Sequence, residues 1–244
     1  MKAYYDLHIH TALSNCGKMC NTPCAIVKRA KENGLNVIAV CDHNNARNAE
    51  AVMRAGLREG IAVIPGMEIT TKENVHILGL FYEVESAVEL SEYLDKHRPL
   101  FAGPAEGETA AWLYDEFDRV KGIYPYGTAN ETDFTIHEVI DLIKNYGGVV
   151  IPSHVDRWIT GILTLRELDG LALDGIEISR DATEEYLKEH PSVDRFLKLY
   201  NSDCHWLDNM FRAKHFLEVE NLTVKDVLDA VKRENKKISA ENNI

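Results

Sequence analysis

The sequence has no apolar run near the roughly 18 residues that a membrane-spanning helix needs, so no membrane partner is expected. Its opening residues, MKAYYDLHIH, lack the apolar stretch and small-residue cleavage site of a secretory signal, which makes the cytoplasm the expected compartment. Cysteine is scarce and odd in number: Cys16, Cys20, Cys24, Cys41 and Cys204 make five. That count, without an export signal, suits a reducing compartment. Cys16, Cys20 and Cys24 recur at four-residue spacing, but no fourth ligand nearby completes a compact structural zinc set. Positive charge is outnumbered, with 27 Lys and Arg against 39 Asp and Glu, for a net charge of −12. Such a surface repels nucleic-acid backbones and disfavours long nucleic acid as a partner; small anions stay accessible if bound metal ions supply positive charge. There is no GxxxxGK[ST] phosphate loop, no Ser/His/Asp arrangement and no repeat at a solenoid period.

What is present is ordinary globular material. The 244 residues are 45% hydrophobic and 27% charged, enough for a large core in one domain spanning residues 1–244. Strand-like and helix-like segments alternate. Ala3–Ile9, Asn36–Cys41, Ile61–Pro65 and Val75–Tyr82 read as strands; Ala25–Asn33 and Ala46–Arg58 read as helices. Between Ser86 and Asp133 the pattern blurs. Helices are expected there at Val88–Lys96 and Glu108–Val120, joined by the GPAEG loop, as a helical insertion over the barrel. Alternation then resumes with a helix at Ile136–Tyr146 and strands at Gly148–Ile151, Gly175–Ile178, Phe196–Tyr200 and Phe216–Val219. A helix capped by Thr223 runs through Val224–Lys232, and the polar tail KKISAENNI is expected to fray. The fold class is α/β, a mainly parallel barrel.

Ten histidines stand out. His8, His10, His43, His76, His154 and His205 lie at or beside strand ends, as do Asp6, Asp42, Glu68, Glu177 and Asp203. In a parallel barrel, residues that follow strands gather at one mouth. His8 and His10 sit at i and i+2, so their rings share one face of a strand and can point at one ion. His76 falls near the start of its strand and needs a reversal after Glu68 to reach that mouth. Three His/Asp pairs after short apolar runs would each need costly polar partners as core residues; one shared metal cluster satisfies them all. A carboxylate such as Glu68 can bridge two divalent ions about 3.5–4 Å apart. Arg157 either grips a phosphate or forms an ion pair with Asp156 or another acid.

Taken in order, DLHIHT (Asp6–Thr11), CDHNN (Cys41–Asn45), PGMEIT (Pro65–Thr70), VHILGLF (Val75–Phe81), PSHVDR (Pro152–Arg157) and NSDCHW (Asn201–Trp206) resemble the motifs of the PHP (polymerase and histidinol phosphatase) family. The resemblance implies a distorted TIM-like barrel of seven βα units with a di- or trinuclear site at its mouth. It implies that His8 and His10 bind a first ion, with Glu68 bridging and Asp203 closing the site. Glu68, His76 and His154 would hold a second ion, and His43 and His205 a third. The family usually adds an Asp or His to that third site. Here the matching position is Asn15 or Cys16, and a Cys16 thiolate suits zinc better than magnesium or manganese.

Two or three divalent ions, zinc, manganese or iron, are therefore the expected cofactors. They would activate a water held among Glu68, Asp203 and His205 and neutralise a phosphoryl group under in-line attack. The first reading is a phosphomonoesterase acting on a small phosphorylated metabolite, with Arg157 on the substrate. The alternatives are a nucleotide phosphodiesterase or nuclease-like enzyme, hydrolysis of another bond such as an amide, and a non-enzymatic metal-binding regulatory module.

Overall fold

The computed structural model describes residues 1–97 and 110–242. In chain order it contains β1 (Lys2–Ile9), α1 (Pro23–Glu32), β2 (Val37–Val40), α2 (Ala49–Glu59), β3 (Ala62–Thr70), β4 (His76–Leu80), α3 (Val84–His97), β5 (Ala111–Tyr114) and β6 (Val120–Tyr124). There follow α4 (Ile136–Asn145), β7 (Val149–Pro152), β8 (Ile176–Ile178), α5 (Glu184–Glu189), β9 (Lys198–Tyr200), β10 (Phe216–Glu218) and α6 (Val224–Glu241). Local chemistry sets several of these boundaries. Pro23 opens α1, where its missing N–H costs nothing. Thr135 and Glu138 form a reciprocal capping box on α4. The Thr223 hydroxyl accepts from Asp226 N at the start of α6. No described helix is long and apolar enough to cross a membrane.

Six strands form one curled sheet in the order β10-β1-β2-β3-β4-β7, and β8 and β9 pair separately. β1, β2 and β3 are parallel. β4 runs antiparallel to both β3 and β7, and β10 antiparallel to β1. These ladders make an α/β half-barrel, a mixed sheet in place of a run of seven parallel βα units. Isolated backbone bonds link the β8–β9 pair to both sides of the curl. Val155 N donates to Glu177 O and Asp174 N to Val150 O, each at 2.9 Å; Cys204 N donates to His8 O and His10 N to Cys204 O, each at 3.0 Å.

Two expectations need correction. The helix expected at Glu108–Val120 is, over its described residues, the first strand and the turn of a β5–β6 hairpin. The GPAEG loop and the first two residues of that expected helix lie outside the described residues. Asp115 explains the hairpin: its side chain accepts from Phe117 N and Arg119 N, while Asp118 takes a positive φ of 62°. Short polar residues of this kind build turns, and the flanking Trp112, Tyr114, Ile123 and Tyr124 favour strands. Over its described residues, the tail expected to fray instead continues α6 to Glu241, and its last two residues lie outside the described residues. It is tied down by Asn235, which accepts from Leu197 N and donates to Leu173 O.

The sheet also aims the first histidine pair. Register slips between Asp6 and Ile9, a bulge on β1. Leu7 packs inside the curl with Ala39, Ile64, Leu78 and Leu199. Ile9 packs outside with Ile26, Val27 and Val52 of α1 and α2. A bulge re-aims side chains in this way, and His8 and His10 are left fully buried at the mouth.

Candidate metal centre

Four donor atoms from three parts of the chain converge at the mouth. His8 Nε2 lies 3.1 Å from His10 Nε2, 3.3 Å from Glu68 Oε2 and 3.3 Å from Asp203 Oδ1. His10 Nε2 lies 3.4 Å from Glu68 Oε2 and 3.1 Å from Asp203 Oδ1. A tetrahedron with metal–ligand bonds of about 2.0–2.1 Å has edges of about 3.3–3.4 Å; octahedral edges at the same bond length are about 2.8–3.0 Å. The observed edges need little adjustment for either geometry. Two imidazole nitrogens this close require a positive centre, proton or metal ion, between them and the carboxylates.

Both rings are oriented from behind. His8 Nδ1–H donates to Glu177, at 2.9 Å to Oε2. Glu177 also accepts from His154 N at 3.0 Å and from Asn201 Nδ2 at 2.8 Å. His10 Nδ1–H donates to Ser14 Oγ at 2.9 Å, and Ser14 in turn donates to Asp42 Oδ1 at 2.7 Å. A histidine committed at Nδ1 offers Nε2 as the ligand nitrogen.

Glu68 faces two ways. Its Oε1 lies 3.0 Å from His76 Nδ1 and 3.1 Å from His154 Nε2, while Oε2 faces His8, His10 and, at 3.2 Å, His43 Nδ1. The β3–β4 hairpin sets Thr70 opposite His76 and so supplies the reversal that His76 needs. His43 Nδ1 and Glu68 Oε2 are close yet share no well-formed hydrogen bond, and both are buried without a partner. Orphaned buried polar atoms of this kind are costly unless something else satisfies them. Among the described residues, three clusters have ligand-type atoms within 4.8 Å of one another: His8, His10, Glu68 and Asp203; His43, Glu68 and His76; and His10, His43 and His205.

Charge balance fits the same picture. Burial would raise the Glu68 carboxyl, but His76, His8 and His43 hold it well below the usual range. Burial would lower His8, but Glu177, Glu68 and Asp203 hold it well above the ordinary value. Burial pushes His43 and His154 down. Against burial, Asp203 and Cys16 push His205 up to about 11. The donor set of imidazoles and carboxylates suits divalent ions of borderline hardness.

The backbone is strained where it presents these groups. His154 and Asp203 have φ of 29° and 50°, and Asn44, beside His43, has 51°. Non-glycine residues held this way cost roughly 1–3 kcal/mol each and cluster at functional sites.

The third expected site is looser. Cys16 Sγ lies 3.1 Å from His205 Nε2, in the open part of the mouth. The Asn15 side chain turns away and accepts from Thr128 Oγ1 at 2.8 Å. Cys20 and Cys24 join no cluster among the described residues. The β5–β6 hairpin buttresses the loop that carries Ser14 and Cys16: Trp112 N donates to Ala12 O, and Ala111 and Tyr124 pack on Leu13. Arg157 Nη1 donates to Asp203 Oδ2 at 2.8 Å, with 42% of its side chain exposed. Asp156 is taken by Ser179 instead. Glu177 and Ser14 are the residues that sequence reasoning left without a role. An acid inside the apolar strand Ile176–Ile178 was the available signal for Glu177; Ser14 carried none.

Residues 6–96 match the PHP domain. The chain is 31% identical to an uncharacterized protein of Methanocaldococcus jannaschii over 186 residues, which are 73% of this chain and 81% of that protein. It belongs to the PHP domain family. This PHP protein is a metal-dependent phosphoesterase, a hydrolase of phosphate ester bonds. It is also 38% identical to the 5'-3' exoribonuclease Rnm of Escherichia coli over 198 residues, covering 63% of this chain and 66% of that one. Its fold is similar to that of the lesion-specific endonuclease Q of Pyrococcus furiosus, with a TM-score of 0.69 at 19% identity, covering 96% of this chain and 56% of that chain. Endonuclease Q has also been seen with a 27-mer duplex substrate.

These likenesses overturn the expectation of a small phosphorylated metabolite as partner with long nucleic acid disfavoured. The physical reason is that net charge averages over the chain. Asp6, Asp42, Glu68 and Glu177 are buried, so part of the −12 never faces a ligand across water, while Arg157 and Lys18 lie at or near the mouth.

Proposed function

We propose that this protein is a nuclease that hydrolyses phosphodiester bonds of RNA at the mouth of its half-barrel. The observation that carries the chemistry is the Glu68 carboxylate, whose two oxygens face two separate sets of imidazoles beside an exposed arginine. The likeness to an exoribonuclease directs the choice of RNA. In this reading His8, His10, Glu68 and Asp203 hold a first ion. Glu68, His76 and His154 hold a second, and His43, His205 and Cys16 a third.

Bound divalent ions supply hydroxide near neutral pH and offset the charge that develops on the phosphoryl oxygens. The chain's own residues do the positioning, which dominates phosphoryl transfer. Glu177 and Ser14 fix the tautomers of His8 and His10. Glu68, Asp203 and His205 surround the point where the attacking water is oriented. Arg157, next to Asp203, binds a non-bridging phosphate oxygen.

The test is a metal-by-substrate panel. Protein reconstituted with manganese, zinc or iron is given end-labelled single-stranded RNA, single-stranded DNA and a phosphomonoester. Nucleotide release from RNA that stops with chelator is the expected result. Phosphate release from the monoester with no cleavage of RNA under any metal would overturn the proposal.

A further inference from the structure

Trp158 and Ile159 are among the most exposed large apolar side chains described, at 84% and 70%. Single exposed apolar residues are ordinary, but these two line the site's own cavity. That cavity, about 460 Å³, also includes His43, Glu68, His76, Asp203 and His205. It falls within the roughly 300–1,000 Å³ typical of small-ligand sites.

The turn that carries Trp158 is firmly held. Arg157 N donates to His154 O at 2.8 Å, Gly161 N to Arg157 O at 2.9 Å, and His76 N to Thr160 O at 3.1 Å. A Cβ at Gly161 would lie 2.4 Å from Arg157 O, so only glycine lets the turn close this tightly. Arg157 reaches inward to Asp203, while Trp158 stays in water. Trp206, which follows His205, is 53% exposed and has Lys18 Nζ 3.9 Å from its ring. Among the described residues, no ring or cation stacks on Trp158.

We propose that Trp158 is the stacking platform for an unpaired nucleobase next to the phosphate under attack. It would make the enzyme favour single-stranded RNA over paired RNA. The proposal rests on the nuclease reading above. Indole–base stacking tolerates any sequence because every base has a π-face. A base inside a duplex has both faces covered by its neighbours and must unstack before it can use the ring. Arg157 and Trp158 are adjacent residues, with Cα atoms about 3.8 Å apart, so one turn serves both phosphate and base.

The experiment uses full-length, metal-loaded enzyme: wild type, Trp158→Ala and Trp158→Phe. Kinetics are measured on single-stranded RNA, on the same RNA as a duplex, and on the same strand with an abasic residue beside the scissile phosphate. Binding is measured by anisotropy with a phosphorothioate strand. Bis(p-nitrophenyl) phosphate reports that each preparation is loaded. Trp158→Ala is expected to raise KM and Kd for the single strand by about 5- to 150-fold, the range for loss of one base–aromatic stack, and to raise KM more than it lowers kcat. Trp158→Phe should restore most of the loss. The abasic strand should lose a similar factor with wild type and little more with Trp158→Ala. An unchanged KM for Trp158→Ala on RNA that wild type cleaves would overturn the stacking role alone. So would a loss caused by Trp158→Ala on the abasic strand as large as its loss on the intact strand. Wild type that turns over the small diester but no RNA would sink the nuclease reading and this proposal together. A drop in oligomeric state for Trp158→Ala with unchanged RNA kinetics would assign the turn to a protein contact instead.

Discussion

Glu177→Gln tests how His8 is held. The Glu177 carboxylate accepts from three donors: His8 Nδ1 at 2.9 Å, His154 N at 3.0 Å and Asn201 Nδ2 at 2.8 Å. A glutamine amide keeps one oxygen and replaces the other with an NH2 group. At least one of the three donors then meets another donor in a buried place, at a cost of about 1–3 kcal/mol. If the NH2 faces His8, the ring must accept at Nδ1 and carry its proton on Nε2, the atom aimed at the cluster. Changes of this kind lower metal affinity by about 10–100-fold. At saturating metal, that removes about 1.4–2.7 kcal/mol of metal-induced stabilisation. Competition with a fluorescent chelator gives the affinity, and thermal unfolding with and without metal gives the stabilisation. A folded Glu177→Gln protein with wild-type affinity and the full metal-induced rise in Tm would refute the assignment of Glu177 to orienting His8.

Three further outcomes follow from the same geometry. Arg157→Lys should raise KM on RNA with metal content unchanged, because a point charge replaces a planar fork; unchanged kinetics would leave Arg157 with only its ion pair to Asp203. Cys16→Ser should weaken zinc binding at the outermost position and leave the other ions in place, as counted by elemental analysis; equal metal content and equal zinc affinity in both proteins would show that Cys16 is no ligand. Metal affinity should rise with pH. Glu177, Glu68 and Asp203 raise the pKa of His8 against its burial, so in the metal-free protein His8 holds its proton to higher pH than a free imidazole and must lose it to bind. Calorimetry in buffers of different ionisation enthalpy should find proton release on metal binding that shrinks as pH rises, and no release at any pH would contradict the raised pKa of His8.

The site was more legible in the sequence than the sheet was. The histidines and acids that the motifs single out, His8, His10, His43, Glu68, His76, His154, Asp203 and His205, do converge, because each lies near the end of, just after or at the start of a short apolar strand, and these strand ends meet at one mouth. Strand direction was harder. β4 reads as one more buried strand; only the place of His76 near its start called for a reversal after Glu68, and the short connection from Thr70 to His76 supplies it. The β5–β6 hairpin was missed although Trp112 and Tyr114 favour a strand, because the Asp115–Asp118 turn that decides it was not read as a turn. Net charge misled on the partner, since it does not distinguish buried acids from exposed ones. Glu177 stood out as an acid in an apolar strand and Ser14 did not, and neither could be assigned as a support, because the atoms they orient are fixed only by the fold.

The central claim is that Glu68 ties two ions into one phosphodiester-cleaving centre. Metal counting on reconstituted wild type and Glu68→Gln, with RNA cleavage measured on the same samples, tests it most directly. Wild type should hold at least two divalent ions per chain, one for each oxygen of the carboxylate. Glu68→Gln should bind fewer and lose more than about 100-fold in activity, beyond the 10–100-fold expected for an indirect contact. Fewer than one ion per wild-type chain after reconstitution, or near-wild-type turnover with Glu68→Gln, would contradict it.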